Sequence, residues 1–549
     1  MIKSPSVDPA AYTLPEDGNG PYRLFRGLSM PLVREFQASL VDPMGAQIRR
    51  LDAIIAQAEG TAFGAAHGLR RGDSLEQWRE KVPLRSYGEL EPWMKRVHAG
   101  EDRVLTKAPV QMLLKTSGTT GAAKLLPVTE PYAQAVDAGQ ALWRLALMRD
   151  HEGVTKGRAF TVVSPPVEGR LPSGLPYGSN TGRMQSRQPW YVRARVPVPP
   201  QVAAITDSPV RIYCLLRFAL QTDISSFTTA NPSTLLLLFR KLQEHWPDLV
   251  RDLRDGTLSG PASALPRRTR WALKPRLRRR RLSGEPSPLE LWDLAVLNTW
   301  KGGPAQFFLP RLRAALGPGG DALPIRELGV TASEGYFAIP MSDGDEGGVA
   351  WLGGQLLEFV DDAGSLRWAW ELEAGQRYRL VISSTGGLYR YDMNDILECT
   401  GHVHGAPLLR FVRKGGNMLN VTGEKLSEDQ LVHAVSTAVG SGVAVAGFSV
   451  GYRMDEVPVL RVAVEGSGAP GFPADFAQRF DRALQEGNVE YQAKRESMRI
   501  GAPELLALPE GTYARWRAAK VAAGAPHGQI KDPVVLRDEA AWEALLAAR

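Results

Sequence analysis

A strand–loop–strand pattern in the first quarter of the chain constrains its fold more than any other feature of the sequence. The apolar run Val110 to Leu114 leads into Thr116-Ser117-Gly118-Thr119-Thr120-Gly121-Ala122-Ala123-Lys124, after which a strand-like pattern resumes. Alternating hydroxyl and glycine residues can turn several backbone N–H groups and hydroxyls toward one oxyanion, and the ammonium of Lys124 lies nearby. The segment therefore predicts a phosphate-binding loop. It is not a Walker A loop, because no Gly-Lys-Ser/Thr follows the glycines at the required spacing.

Length and composition indicate a soluble protein of more than one domain. A chain of 549 residues exceeds what a single hydrophobic core usually supports. No apolar run is long enough for a membrane span, and the N-terminus lacks the apolar core of a signal peptide. Cys214 and Cys399 are the only cysteines and lie far apart, which argues against a disulfide framework. We therefore expect the protein to be cytoplasmic.

The positive charge of the chain comes from one short window. Residues 267–281 hold nine basic residues and no acidic ones, so the net charge of +7 leaves −2 for the rest of the chain. A local run of this kind does not predict a global field for nucleic acid. We interpret it as a solvated surface insertion between two helices, with a contact site for an acidic partner or phosphate-rich ligand as the alternative.

Hydrophobic periodicity predicts an α/β fold with two domains. Residues 20–60 are predicted to be helical, with Ile48, Leu51, Ile54, Ile55 and Ala58 on one face. Further along the chain, strand-like runs (Phe160–Val163, Tyr378–Ile382) alternate with helical ones (Pro232–Leu242), which favours a large α/β domain over residues 1–412. The turn-rich Lys414–Asn417 precedes two predicted antiparallel strands, Val443–Val450 and Leu460–Val464. A helix carrying Phe476, Phe480 and Leu484 on one face follows, so residues 413–549 are predicted to form a smaller α+β domain.

Four further segments carry residues suited to nucleotide chemistry. Gly302-Gly303-Pro304 follows a β-like run and permits close backbone approach by a flat ligand. Ser333-Glu334-Gly335-Tyr336 places a lone carboxylate among small and aromatic residues, which suits Mg²⁺, an ion that takes one or two protein oxygens. Asp395 ends a turn and could bind the two hydroxyls of a ribose, and a Gly/Pro-rich loop presents Lys531. Singly, Glu334 as a surface acid and Lys531 as a solvated tail residue are the simpler interpretations.

The order of these segments resembles that of the adenylate-forming superfamily, and specifically its GH3 branch of acyl acid amido synthetases. The resemblance runs from about Ala58 to Pro533. Beyond the phosphate loop it depends on Thr61–Gly64, Val82–Tyr87, Gly174–Ser179, Tyr213–Leu216, Asn231–Ser233, Ser333–Tyr336 and Gly528–Lys531. It implies a large N-terminal α/β domain of adenylate-forming type and a smaller, mobile α+β C-terminal domain. It also implies that ATP and a carboxylic acid form an acyl-adenylate, from which an amine, usually of an amino acid, displaces AMP.

The resemblance also implies a role for each candidate residue. The expected triphosphate site comprises Thr116, Ser117, Gly118, Thr119, Thr120, Gly121 and Lys124. The expected adenosine and magnesium site comprises Gly302, Gly303, Pro304, Ser333, Glu334, Tyr336 and Asp395. Arg413 would mark the interdomain hinge, and Lys531 would bind the α-phosphate and acyl oxygen as a catalytic residue, together with Glu334 and Lys124. By analogy, Tyr177, Ser179, Tyr213 and Leu216 border the acyl pocket, although an ordinary core helix explains the last two equally well.

The sequence departs from the family pattern in three places and leaves the acceptor open. Val330 stands where an aromatic residue often stacks on adenine, and Asp392 and Asn394 stand where Arg and Gly are usual. Met418–Glu424 matches the usual hinge segment only loosely. The expected cofactors are ATP and Mg²⁺, and the expected partners are a small carboxylic acid and an amine, with no nucleic acid. Two alternatives stay open at this point: an acyl-CoA ligase that uses the same intermediate, and a binding protein for nucleic acid or another partner that uses the basic run.

Overall fold

Two compact units make up the chain in the computed structural model. The structure describes residues 9–116, 124–162, 164–188, 196–203, 205, 207–259, 286–416, 418–440, 445–466, 472–522 and 532–549. One unit comprises Met1–Thr116 and Leu125–Gly415, and the other comprises Ser117–Lys124 and Gly416–Arg549. The division after Gly415 falls within the predicted Lys414–Asn417 turn, close to the predicted start of the second domain at Arg413.

Several described α-helices of the first unit begin at a residue whose side chain caps the helix. Thr129 and Asn231, for example, accept hydrogen bonds from the first turns of the helices that they precede. The helices are α1 Gly20–Leu28, α2 Met30–Val41, α3 Pro43–Ala58, α4 Ala62–Ala66, α5 Leu75–Lys81, α6 Tyr87–His98, α7 Glu130–Asp150, α8 Asn180–Arg187, α9 Pro200–Ala203, α10 Ser208–Leu220, α11 Pro232–Glu244, α12 Trp246–Asp255, α13 Pro288–Leu291 and α14 Leu309–Ala315. Short 3₁₀ turns are Pro9–Tyr12, Glu152–Thr155, Gly303–Phe308 and Ala369–Glu371.

Sixteen strands of the first unit lie in three sheets within the described ranges. They are β1 Met112–Thr116, β2 Lys124–Val128, β3 Arg158–Thr161, β4 Gly169–Arg170, β5 Pro176–Gly178, β6 Ile224–Thr228, β7 Val296–Asn298, β8 Ile325–Arg326, β9 Val330–Ala332, β10 Gly335–Ile339, β11 Gly348–Ala350, β12 Leu356–Val360, β13 Leu366–Trp368, β14 Arg377–Ser383, β15 Tyr391–Val403 and β16 Ala406–Lys414. Their orders are β2-β1-β5-β4, β3-β6-β7-β8 and β13-β12-β14-β15-β16-β11-β10-β9.

The pairing of these strands decides where loops meet. Strands β3, β6, β7 and β8 are parallel, so the loops that follow β7 and β8 leave the same edge of that sheet. Strands β9 and β10 are antiparallel, with Ala332 opposite Gly335, so Ser333 and Glu334 form the turn of a hairpin. The large sheet packs with α1–α7 into one hydrophobic core.

The second unit is an α+β structure, as predicted. Its described elements are β17 Met418–Leu419, β18 Leu426–Ser427, α15 Glu428–Val439, β19 Gly447–Arg453, β20 Val459–Glu465, α16 Phe476–Gly487, α17 Val489–Glu496, β21 Glu504–Leu508, α18 Thr512–Ala522, β22 Val535–Leu536 and α19 Glu539–Leu546. The main sheet has the order β21-β20-β19-β22, and β17 pairs with β18. Antiparallel β19 and β20 confirm the predicted strand pair, and Phe476, Phe480 and Leu484 are buried on α16 as expected.

Two local predictions need correction. Ile48 was expected on the buried face of α3, but its side chain is 44% exposed, whereas Leu51, Ile54, Ile55 and Ala58 are buried. Ile48 lies at the edge of the apolar stripe, where a 3.6-residue period no longer points inward. The strand predicted at Phe160–Val163 is Arg158–Thr161, and of its side chains only that of Phe160 is buried.

Residues 267–281 lie outside the described residues, so the proposed surface insertion stays a prediction. Among the helices that the structure describes, none is both long enough and apolar enough to cross a lipid bilayer.

Candidate functional site

Glu334 occupies the turn of the β9–β10 hairpin and is buried there. Its side chain is only 7% exposed, and it makes no hydrogen bond or ion pair with another described residue. The preceding residue is anchored, because the hydroxyl of Tyr132 donates a hydrogen bond of 2.5 Å to the carbonyl oxygen of Ser333. A buried carboxylate without a partner is costly, so this arrangement is suited to a bound cation.

Three tyrosines surround this carboxylate. Burial raises the pKa of the Tyr87, Tyr132 and Tyr391 hydroxyls above the ordinary value, and the negative charge of Glu334 raises each pKa further. All three phenols therefore stay neutral, and they contribute no charge that could compensate Glu334. The Tyr87 hydroxyl also accepts a hydrogen bond from the backbone N–H of Leu125, the residue after Lys124.

The two ends of the predicted phosphate loop are ordered strand ends. Thr116 is the last residue of β1 and is buried, and Lys124 is the first residue of β2, which neighbours β1 in the sheet. The strand–loop–strand prediction is thus confirmed for both flanks. Ser117, Gly118, Thr119, Thr120 and Gly121 lie outside the described residues, as does Lys531, so their roles stay predictions.

Glu327 is a functional candidate that the sequence reasoning missed. It follows β8, is 2% exposed, and its Oε2 accepts a hydrogen bond of 2.5 Å from the backbone N–H of Lys301. Its Oε1 accepts hydrogen bonds from the N–H groups of Leu328 at 2.8 Å and Gly329 at 3.1 Å. Burial nevertheless raises the pKa of this carboxyl to about 7. Glu327 therefore joins the loops that follow β7 and β8. The local sequence shows only an acidic residue two positions before Gly329, which does not indicate this role.

The predicted adenine loop packs tightly on β16. Gly302 and Gly303 begin a 3₁₀ turn that continues through Pro304, and Gly303 has a left-handed backbone with φ of +57°. A Cβ atom added to Gly303 would lie 3.1 Å from the Phe411 ring and 3.2 Å from the Val412 carbonyl oxygen. The sequence analysis expected a flat ligand to come close to the backbone of these glycines. In this structure the groups that come close to Gly303 are the Phe411 ring and the Val412 carbonyl oxygen of the protein itself.

The predicted ribose acid lies in the ladder between β15 and β16. Asp395 is buried opposite Lys414 and forms an ion pair with its ammonium group. Arg413, the predicted hinge residue, lies opposite Ile396 near the end of β16 and is exposed. A nucleotide hydroxyl that bound Asp395 would share this carboxylate with Lys414.

The unusual residues before Asp395 are accommodated locally. Asn394 has a left-handed backbone with φ of +54°, a conformation that the sequence analysis expected Asn to tolerate where Gly is usual. Its side-chain amide donates to the carbonyl oxygen of Gly415 at 3.1 Å. Asp392, which replaces the usual Arg, pairs with Arg379 at 3.2 Å, so its charge is compensated by a neighbouring strand.

Three predicted ligand-contacting side chains belong to the core instead. The Tyr336 ring is buried against Gly139, and its hydroxyl donates to the Leu328 carbonyl oxygen at 2.8 Å. Tyr213 and Leu216 are buried within α10, and the Tyr213 hydroxyl donates to Asp252 at 2.7 Å. Apolar periodicity on a buried helix cannot be distinguished by sequence from a pocket wall, so the roles of these residues in ligand binding stay predictions.

Tyr177 and Ser179 remain partly exposed, and they lead into a second buried charge. Ser179 caps α8: its hydroxyl accepts a hydrogen bond from the N–H of Gly182 at 3.0 Å and donates to the Pro165 carbonyl oxygen at 2.9 Å. One turn into α8, the side chain of Arg183 is 3% exposed. Sequence reasoning did not select Arg183, because an arginine in a polar helix is ordinarily solvated.

The described residues offer no cluster of three or more His, Cys, Asp and Glu side chains that could hold a metal ion. Cys399 is buried, and its burial raises the pKa of the thiol to about 11. A divalent cation at Glu334 would therefore take most of its ligands from water and substrate oxygens, as Mg²⁺ commonly does.

Comparisons with known proteins match the chain along most of its length. Residues 32–319 match the GH3 family N-terminal domain, residues 355–414 the GH3 family central domain, and residues 429–540 the GH3 family C-terminal domain. A probable indole-3-acetic acid-amido synthetase of Oryza sativa subsp. japonica is 26% identical over 546 residues, which cover 89% of this chain and 87% of that protein. A jasmonoyl–L-amino acid synthetase of Nicotiana attenuata is 23% identical over 558 residues, which cover 91% of this chain and 92% of that protein.

Solved structures share the fold. The AtGH3.15 acyl acid amido synthetase in complex with 2,4-DB aligns with a TM-score of 0.63 at 20% identity, covering 99% of this chain and 97% of that chain. A 2-hydroxyisobutyryl-CoA ligase aligns with a TM-score of 0.51 at 14% identity, and the alignment covers 95% of this chain and 92% of that chain. At these identities the alignments show that the chain shares the fold of these proteins.

Proposed function

Because this chain belongs to the GH3 family, we propose that it is an ATP-dependent ligase that joins a carboxylic acid to an amine, most simply that of an amino acid. In the first half-reaction the carboxylate attacks the α-phosphorus of ATP, which gives an acyl-adenylate and releases pyrophosphate. In the second, the amine attacks the acyl carbon and AMP leaves. Relatives that match along most of the chain are named for amide formation with amino acids, which supports this reaction.

The observation that carries the proposal is the carboxylate of Glu334, which is 7% exposed on its hairpin turn and makes no hydrogen bond or ion pair with another described residue. A structural acid at such a place would be expected to have donors, as Glu424 does, which accepts hydrogen bonds from Val421, Thr422 and the Thr422 hydroxyl. Glu334 instead faces three neutral phenols. A ligand of positive charge would remove the cost of its burial.

Mg²⁺ fits this donor set. We assign Glu334 as its protein ligand, since an oxygen donor of full negative charge and few competing protein ligands suit this hard cation. When bound, Mg²⁺ would neutralise charge on the phosphate oxygens of ATP. Tyr132 would keep the turn in place through its hydrogen bond to Ser333.

Cationic side chains have the decisive role in the first half-reaction. A carboxylate and a triphosphate repel each other, so fixed positive groups must stabilise the charge that develops as they approach. We assign this role to Lys124 and Lys531, with Thr116, Ser117, Gly118, Thr119, Thr120 and Gly121 supplying hydroxyl and N–H donors to the phosphates. Lys531 would contact the α-phosphate and the acyl oxygen.

The adenosine end would be held by the loops after β7 and β8 and by the β15–β16 ladder. We assign Gly302, Gly303 and Pro304 to the adenine, with Glu327 fixing their loop through the Lys301 N–H. Asp395 would bind the ribose, and Arg413 would act at the hinge. Tyr177 and Ser179 would border the acyl group. Both cysteines are free and buried, so we place the reaction in a reducing compartment, the cytoplasm.

A pyrophosphate-exchange screen tests the proposal without any assumption about the amine. The acid library would begin with indole-3-acetate, jasmonate and 2,4-DB, after the names of the relatives and the solved structure. Exchange that depends on one acid, followed by AMP release and an amide mass when amino acids are added, is the expected result. Thioester formed from CoA, with no amide, would identify an acyl-CoA ligase instead.

The variant Lys531→Ala tests the role that we assign to Lys531 in the first half-reaction. It should abolish exchange while ATP still binds, because the charge that it removes is needed when the α-phosphate is attacked. Lys107→Ala, which removes an exposed ion pair with Glu59, is the control and should exchange normally. Normal exchange by Lys531→Ala would refute the assignment.

A further inference from the structure

Arg183 carries a buried guanidinium whose two terminal nitrogens make no hydrogen bond to another described residue. The side chain is 3% exposed, and Nη1 and Nη2 are both buried without a hydrogen-bond partner in the part of the chain that the structure describes. Its Nε donates to Asn180 Oδ1 at 3.1 Å, and its nearest carboxylate is that of Asp137, 3.8 Å from Nη1. Burial of a guanidinium with unused donors is costly, and such groups ordinarily have partners.

The helix does not need Arg183 to hold it in place. One turn further along α8, Arg187 donates to both oxygens of Glu130 at 2.9 Å and 2.8 Å and to Asp137 at 2.8 Å. These bonds attach α8 to the first half of α7, and they also engage the carboxylate that lies nearest Arg183. The buried fork of Arg183 therefore keeps only a long ion pair with Asp137, at 3.8 Å, and its hydrogen-bond donors stay unused among the described residues.

The surroundings of Arg183 connect it to the candidate site. Burial raises the pKa of the Tyr132 hydroxyl, the charge of Arg183 lowers it, and the charge of Glu334 raises it. Both charged groups thus lie near one phenol, whose hydroxyl is bonded to Ser333. An anion that entered between them would find the Arg183 fork on one side and any cation held by Glu334 on the other.

We propose that Arg183 binds a carboxylate of a substrate through Nη1 and Nη2. This inference rests on the proposed function, which supplies two such groups: the acid that is activated and the α-carboxylate of an amino acid acceptor. The planar fork of a guanidinium matches the two oxygens of a carboxylate, and the pair is strongest where water is excluded. The same contact would satisfy donors that the protein leaves unused.

Steady-state kinetics of Arg183→Met, Arg183→Lys and the control Arg187→Met separate the two carboxylates. If Arg183 binds the acid that is activated, the KM of that acid in pyrophosphate exchange should rise about 10-fold to 100-fold in Arg183→Met. Loss of a charged hydrogen-bonding partner predicts a change of this size. If it binds the acceptor, exchange should be unchanged and the KM of the amino acid should rise by that amount. Arg183→Lys should recover only part of the loss, because it keeps the charge without the fork. Arg187→Met removes the bonds that attach α8, so it should lower the unfolding temperature and change each KM by much less than Arg183→Met does.

A binding measurement tests the same contact without catalysis. At equal ionic strength, benzoate should raise the unfolding temperature of the wild-type protein more than benzamide, its neutral counterpart, and Arg183→Met should lose this difference. If the difference is present but no acid supports exchange, the proposed ligase activity fails while the carboxylate site stands. The site itself is overturned if benzoate and benzamide act alike on the wild type. It is equally overturned if Arg183→Met raises only the KM of ATP, or alters stability and no KM.

Discussion

The carboxylate of Glu327 accepts a hydrogen bond of 2.5 Å from the backbone N–H of Lys301, and so fixes the start of the Gly302–Pro304 loop. The same side chain binds the N–H groups of Leu328 and Gly329, immediately before β9. One buried acid therefore holds together two loops that leave neighbouring parallel strands at one edge of their sheet. In open α/β sheets this edge is where ligands bind.

Replacing Glu327 should weaken ATP binding more than it slows turnover. Glu327→Ala leaves the N–H of Lys301 without its acceptor and frees the loop that we assign to adenine, so the KM of ATP should rise about 10-fold while kcat changes little. Glu327→Gln keeps one acceptor oxygen and should recover most of the affinity. Initial rates of pyrophosphate exchange at varied ATP measure both constants. A fall in kcat at unchanged KM would show that Glu327 does not act through ATP binding.

The pKa of Glu327 also predicts how stability changes with pH. Its folded pKa of about 7 lies above the ordinary value of 4.5, so between these values the folded protein binds more protons than the unfolded chain. The contribution is fully present below the ordinary value and is lost as the pH rises through about 7. The free energy of unfolding of the wild type relative to Glu327→Gln should therefore fall by about 2.5 kcal/mol from about pH 5 to about pH 8. Urea titrations at several pH values measure it, and a flat difference would contradict the assignment.

Gly303→Ala should destabilise the adenine loop through two separate effects. Its φ of +57° disfavours any side chain, and the new Cβ would lie 3.1 Å from Phe411 and 3.2 Å from the Val412 carbonyl oxygen. We expect a loss of about 1–2 kcal/mol in unfolding free energy and a raised KM of ATP. Gly364→Ala is the matched control, because Gly364 has a φ of +83° with nothing near its Cβ position. Equal losses of stability in the two variants would mean that crowding against β16 contributes nothing.

Sequence reasoning located the flanks of the phosphate loop and the hairpin acid, because these depend on residue order along one short segment. The predicted strands flank the loop, although Thr116 and Lys124, its predicted first and last residues, belong to the strands themselves, and Glu334 lies on a turn whose residues are adjacent in the chain. It could not decide roles that depend on packing between distant elements. Tyr213 and Tyr336 have the residue types of ligand contacts, yet their hydroxyls are bonded to Asp252 and to Leu328.

Residues that act through tertiary contacts were missed for the same reason. Nothing in the local sequence of Glu327 indicates that its partner is Lys301. Lys301 follows β7, the parallel strand that neighbours β8 in the sheet. Arg183 stands in a polar helix, and only the fold shows that it is buried beside Tyr132. A pattern of hydrophobic spacing cannot report which polar side chain is left without a partner.

Glu334→Gln should make the protein more stable and much less active. The substitution removes a buried negative charge that has no partner among the described residues, so the unfolding free energy should rise by about 1 kcal/mol. The same charge is the one that we assign to Mg²⁺, and its loss should reduce exchange by about 100-fold or more. Glu424→Gln is the control, because that buried acid accepts hydrogen bonds from Val421 and Thr422 and its neutralisation should destabilise the protein. Thermal unfolding and exchange rates at varied Mg²⁺ measure both effects. A destabilised Glu334→Gln with an unchanged requirement for Mg²⁺ would mean that Glu334 is a structural acid and not a ligand of the cation.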